Sequence, residues 1–235
     1  MAGMFWTFVD ATPALGGSVQ IDGKRGHHLA RVLRVRPGEH GVAVFAGHEY
    51  ELEVVAVGGA RIEARVLTDR PARGEATTAV TLLQAVLPNP DFDAVLEGGT
   101  AVGIQHFVAV QAARSIGRPP AGRRTRWEAI VEAAAEQSHR GRIPSVTEPM
   151  TLSSALDQVG DSRLLALDPA ATLPLGQAID ESAAYTIAVG PEGGWTDDEL
   201  SVFRARGAVA INLGPRILRA RLAPIVAAAI LVQRP

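Results

Sequence analysis

At 235 residues the chain can bury the core of one large domain or of two modest ones. Its formal charge of −2 averages arginines gathered at Arg31 to Arg36 and Arg114 to Arg142 against acids crowded between Glu192 and Glu199, so local patches bear on the choice of partner more than net charge does. With no cysteine, disulfides and thiolate metal sites are excluded, and a reducing cytoplasm is the compartment that fits.

The chain opens with Met1 to Asp10, which has no basic residue ahead of its apolar stretch and so does not read as a secretory signal. From Met4 to about Thr68 the pattern is mostly strand. Apolar and polar residues alternate in Val42 to Phe45, Tyr50 to Val57 and Arg61 to Leu67, with Ala46-Gly47-His48 and Gly58-Gly59-Ala60 as hairpin turns. One helix interrupts them over Gly26 to Leu33, with Leu29, Val32 and Leu33 on one face and Pro37-Gly38 as its stop. Residues 1–70 therefore read as a small β-barrel carrying a basic helix. Polar Asp69 to Ala76, with Pro71 and Gly74, reads as a linker.

Over 77–235 the period changes. Strands are expected at Ala79 to Leu87, His106 to Val110, Arg163 to Leu167, Tyr185 to Gly190 and Ala208 to Leu213. Helices are expected at Phe92 to Val102, Thr125 to Ser138, Leu152 to Val159, Asp197 to Arg206 and Ile217 to Val232. This alternation is that of an α/β domain, a parallel sheet with helices on both faces. The longest apolar run, Ala223 to Val232, falls short of the ~20 residues of a membrane span, so a soluble protein is expected.

Two glycine turns stand at strand ends, where parallel α/β sheets bind ligands and glycine lets the backbone come close. The first, Gly190-Pro191-Glu192-Gly193-Gly194, precedes Thr196 and Glu199, a capping box that starts a helix at about Asp197. It reads either as a plain loop and helix start or as a ligand site. Three glycines around one carboxylate exceed what a connection needs, which favours the ligand site. Neither GxGxxG nor GxxxxGK[ST] is present, and Glu192 with Asp197 and Asp198 behind it would repel phosphate, so a neutral or cationic ligand suits the turn. The second, Gly214-Pro215, leads to Arg216 and Arg219, three apart on one face of the expected helix. They are either solvated surface or, since cations there oppose the helix dipole, a contact for an anion. Adjacent His27 and His28 point in different directions on a helix, so core packing or a nucleic-acid contact is expected there and no metal.

The succession strand, GPEGG, helix, strand, LGPRILR, apolar helix resembles the cofactor-binding end of the SPOUT methyltransferases, specifically the ribosomal RNA small-subunit methyltransferase E family. Arg126-Trp127 with Ala134 to Pro144 (AAEQSHRGRIP), and Gly26-His27-His28-Leu29 with Val32-Leu33-Arg34, carry the resemblance into both halves in order. It implies a PUA-like barrel that holds RNA, a carboxy-terminal domain tied in a trefoil knot, and methyl transfer from S-adenosylmethionine to N3 of a uridine in 16S ribosomal RNA of the small subunit. Knots are otherwise almost absent from proteins, so periodicity does not show one.

Carried over by that resemblance, cofactor contacts fall on Leu167, Gly190, Glu192, Gly193, Gly194, Leu213, Gly214, Ile217 and Leu218. Arg219 or Arg216 would stabilise the charge left on the uracil carbonyls once N3 loses its proton, with Glu192 or water as base. Lys24, Arg25, Arg31, Arg34 and Arg36 on the barrel and Arg123, Arg124, Arg126, Arg140 and Arg142 on the other domain could contact RNA phosphates or form a solvated basic face. The family's LRTETA run ends here in Ala220-Arg221-Leu222-Ala223, and its Thr-Glu-Leu-Gly segment reads Thr100-Ala101-Val102-Gly103. Two other readings stay open on those substitutions: a catalytically impaired RNA-binding or assembly factor, and an enzyme retargeted to another RNA. The last helix is apolar nearly all round, which points to a homodimer.

Overall fold

The computed structural model describes residues 4–116 and 122–233; of the opening segment Met1 to Asp10, Met1 to Gly3 lie outside them. The chain forms two compact units, Met1–Glu75 with Ala135–Arg142, and Ala76–Ala134 with Ile143–Pro235. Among the described residues no helix is long and apolar enough to cross a membrane.

In the first unit, strands β1 (Phe5–Phe8), β2 (Ser18–Ile21), β3 (His40–Phe45), β4 (His48–Gly58) and β5 (Arg61–Pro71) form one sheet in the order β1-β3-β4-β5-β2. β1 runs parallel to β3, and the other pairs are antiparallel. The β3–β4 hairpin closes through Ala46 and Gly47, both at positive φ, the backbone that a tight two-residue turn demands. Ala43 packs with Phe5, Leu52, Ile62 and Val66, whereas Val42 and Val44 pack with Phe8 and Ala135. Both faces of β3 are thus buried, which is why Val42 to Phe45 is apolar throughout instead of alternating as expected.

Three expectations change here. The basic helix begins earlier, as α1 (Gly23–His27), and continues as a single π-helical turn over His28–Val32. Leu33 N reaches back five residues to His28 O, so the 3.6-residue spacing fails. Leu29 is buried, but Val32 and Leu33 are 59% and 51% exposed, and His27 and His28 face solvent instead of packing in a core. The expected linker also shortens, because β5 extends to Pro71 by pairing Asp69, Arg70 and Pro71 with Tyr50, Glu49 and His48.

In the second unit six strands lie parallel in the order β11-β9-β10-β6-β7-β8: β6 (Ala79–Ala85), β7 (His106–Val110), β8 (Ser145–Val146), β9 (Arg163–Leu167), β10 (Ala184–Val189) and β11 (Val209–Ile211). On one face, Val80, Leu82, Tyr185 and Ile187 pack with α2 (Asp91–Val102) and α7 (Ala223–Val232). On the other, Leu83, Ala85 and Ala188 pack with α4 (Leu152–Leu156) and α6 (Asp197–Ala205). The helix α3 (Arg123–Gln137) and the short α5 (Leu175–Ala178) complete the elements. The chain steps from β6 to β7 and β8 on one side and to β10, β9 and β11 on the other, which creates a switch point beside β6.

α7 starts at Ala223 rather than Ile217, with Pro224 in its first turn, a position where the missing N–H costs nothing. Gly214 at φ +91° turns the chain away from β11, and the residues up to Leu222 form an irregular loop.

Candidate functional site

β10 delivers the chain into the first glycine turn. Gly194 N donates to Pro191 O at 2.8 Å and Gly194 sits at φ +69°, so the turn folds back over Gly190. A Cβ on Gly190 would lie 3.2 Å from both Gly194 C and Trp195 N, so a side chain there would press on the backbone of the turn. Below the turn, Trp195 is 6% exposed and meets Phe203 edge-on at 4.9 Å. The capping box forms: Thr196 Oγ1 accepts from Glu199 N, and Glu199 Oε2 accepts from Thr196 N at 2.8 Å.

β11 delivers the second turn through Asn212. Its side-chain oxygen accepts from Gly214 N at 2.9 Å, its amide donates to Ala171 O at 2.8 Å, and its backbone exchanges bonds with Leu173 and Leu175. One side chain thereby fixes the loops after both β9 and β11. Asp168 at the end of β9 is tied to the same group, its N donating to Ile211 O at 2.9 Å.

These loops enclose a cavity of about 430 Å³ at the carboxyl ends of β9, β10 and β11. Among the predicted cofactor residues it brings together Leu167, Gly190, Glu192, Gly193, Gly194, Leu213, Gly214, Ile217 and Leu218, and it includes Arg216 but not Arg219. Both arginines are exposed and without an ion-pair partner among the described residues. They are not on a helix turn, since α7 begins after them, and the helix-dipole argument does not apply. Ala220 and Ala223, from the substituted run, also line the cavity, while Arg221 pairs with Asp91 at 2.9 Å.

Arg114, Asp168, Trp195 and Asn212 also line the cavity but escaped the sequence reading. Trp195 and Asn212 adjoin the glycine turns and Asp168 ends a legible strand, so position could have flagged them. Arg114 comes from a segment distant in sequence, with no local signal. Among the described residues, Asp168 and Glu192 have no ion-pair partner and the buried indole N–H of Trp195 has no acceptor. A ligand with positive charge and acceptor atoms suits such walls.

The predicted RNA contacts divide. On the first unit Lys24, Arg31, Arg34 and Arg36 are exposed, while Arg25 pairs with Asp10 at 2.8 Å. Arg140 and Arg142, expected on the other domain, belong to this unit. Glu75 is the reason: its carboxylate takes Nε and Nη2 of Arg140 at 3.0 and 2.7 Å and the backbone amides of Gly141 and Arg142. Arg140 is 2% exposed and therefore does not present its charge to RNA, whereas Arg142 is exposed. On the second unit, Arg124 pairs with Glu128 and Arg126 with Asp93, while Arg123 is half-buried. The hydrogen bond that Arg126 donates to Asp93 holds its guanidinium above the ordinary arginine range.

Residues 74–232 match the family model described as an RNA methyltransferase domain, and residues 21–67 match the one described as an RNA methyltransferase PUA domain. The ribosomal RNA small subunit methyltransferase E of Mycobacterium bovis is 35% identical over 94% of this chain and 88% of its own. The chain belongs to the ribosomal RNA small subunit methyltransferase E family. The family's enzyme from Synechocystis is 34% identical over 86% of this chain and 69% of its own. Among solved structures, the family's enzyme from Neisseria gonorrhoeae, bound to S-adenosyl methionine, superposes with a TM-score of 0.91 at 30% identity, covering 97% of this chain and 96% of that one. A methyltransferase from Legionella pneumophila in complex with the same cofactor shares the fold, with a TM-score of 0.90 at 22% identity over 97% of each chain.

Proposed function

We propose that this member of the methyltransferase E family transfers a methyl group from S-adenosylmethionine to N3 of a uridine in 16S ribosomal RNA. The observation that carries the reading is the closing of both glycine turns, after β10 and β11, on one cavity. Its volume lies in the range of small-molecule sites. Apolar Leu167, Leu213 and Leu218 suit an adenine ring, and the carboxylates of Asp168 and Glu192 suit a cationic ligand. The unpartnered indole N–H of Trp195 leaves one donor for a ligand acceptor. When bound, the cofactor supplies a methyl group made electrophilic by its sulfonium.

The chain's own residues then do the following. Backbone groups of Gly190 to Gly194 and Leu213-Gly214 hold the ligand, and Glu192 opposes anions. Arg216, exposed at the rim, stabilises negative charge on the uracil carbonyls once N3 has lost its proton to Glu192 or water. Arg219, outside the lining, is the weaker candidate for that task. Of the predicted contacts, Lys24, Arg31, Arg34, Arg36 and Arg142 on the PUA unit and Arg123 on the other are the cations left to meet RNA phosphates. The carboxy-terminal domain is read as tied in a trefoil knot that joins the two glycine turns, the active form as a homodimer and the compartment as the cytoplasm.

An RNA-binding factor without activity is disfavoured, since the family match spans both units and Ala220 and Ala223 line a cavity that stays open. Isothermal titration with S-adenosylmethionine, followed by methyl transfer to small subunits lacking the modification and mapping of the methylated positions, tests the proposal. Micromolar binding and one new N3-methyluridine are expected. Binding without transfer to any uridine would sink it, and transfer to a different RNA would show retargeting.

A further inference from the structure

The segment after β7 reaches the first glycine turn and the first turn of α6 from 79 and 86 residues earlier in the chain. It closes on itself, with Ser115 N donating to Ala112 O at 3.1 Å and Ala112 N to Ser115 Oγ at 3.3 Å. Ala113 N then donates to Glu199 Oε1 at 2.8 Å, while the other oxygen of Glu199 serves the capping box. Next to it, Arg114 Nη1 donates to two carbonyls of the turn, Gly193 at 2.8 Å and Trp195 at 3.3 Å.

Stability does not explain this arrangement. Arg114 is exposed, and hydrogen bonds made in water add little to folding. Its aliphatic stem nevertheless lies close enough that a Cβ on Gly193 would meet Arg114 Cδ at 3.3 Å. The residue also lines the cavity, as does the turn it holds. Arg216, by contrast, is fixed by no hydrogen bond or ion pair among the described residues, so of the two cavity arginines only Arg114 is anchored.

We propose that Arg114 is a positioning residue of the cofactor site: it holds the carbonyls of Gly193 and Trp195 so that the turn keeps the shape that receives the ligand. This rests on the cofactor reading above. Preorganisation of this kind raises affinity because the ligand need not order the turn itself.

Two variants of the full chain separate the roles. Arg114→Met keeps the stem and removes the donors; Arg114→Lys keeps the stem and a cationic N–H donor. Hydrogen exchange at Gly193, Gly194 and Thr196 without ligand reads the turn directly. Titration with S-adenosylmethionine reads the site, and an unfolding midpoint controls for stability. Faster exchange and about tenfold weaker binding are expected for Arg114→Met, with both largely restored in Arg114→Lys and midpoints near that of the parent. Parent-like exchange in Arg114→Met overturns the proposal, as does an equal loss in both variants that follows the midpoint. Failure of the parent chain to bind the cofactor counts against the cofactor reading instead, and the exchange rates still decide the clasp.

Discussion

Arg140 and Arg31 look alike in the sequence, both in basic stretches, but the first is 2% exposed on a bidentate carboxylate and the second is exposed with no ion pair among the described residues. Removing one member of a buried pair strands the other, at a cost of roughly 3–5 kcal/mol, so Arg140→Ala should lower unfolding free energy by about 3 kcal/mol in a urea titration. Arg31→Ala should leave stability within about 0.5 kcal/mol and reduce the salt slope of RNA binding by about one unit. A parent-like stability for Arg140→Ala would mean that the Arg140–Glu75 side-chain pair does not contribute to folding, and that Glu75 holds the segment through the amides of Gly141 and Arg142.

At the scale of elements, the ends of the sheet opposite the cavity are joined by Asp180, just before β10. Ser182, through its side chain and its amide, contributes most to holding this carboxylate low; the Tyr185 hydroxyl and Arg163 at the start of β9 add to it, and together they lower its pKa to about 2. A carboxylate depressed in the folded state contributes stability that is complete above its unfolded pKa, near 4, and is lost as pH falls through about 2. Asp180→Asn should therefore be slightly less stable than the parent at pH 7 and equal to it below pH 2, followed by thermal unfolding across that window. A constant difference between the two at every pH would remove Asp180 from the account. Elsewhere the same scale explains the errors at boundaries. Pro224, in the first turn of α7, marks the true helix start, yet the apolar pattern from Ile217 onward drew the boundary too early. The π-helical turn at His28–Val32 adds a residue per turn, which no 3.6-residue pattern reveals.

For the whole molecule, α7 covers the sheet with Ala227, Ala228 and Leu231 but leaves Ile230 43% exposed, and Ile217 and Leu222 before it are 85% and 46% exposed. A second copy of the chain is the proposed cover for this apolar surface. Light scattering at micromolar concentration should give twice the chain mass, and Ile230→Glu should shift it toward the monomer; a monomeric parent would refute the dimer.

The sequence by itself determined the alternation of strands and helices beyond Ala79, the two glycine turns and the capping box at Thr196, because each depends on residues within a few positions of one another. Only the tertiary structure decided that both turns line one cavity, that Arg114 and Asn212 organise it, that Arg216 lies nearer than Arg219, and that Arg140 is buried. Each of these depends on which distant segments meet. The parallel order β11-β9-β10-β6 brings three strand ends together, and no local pattern of residues carries that information.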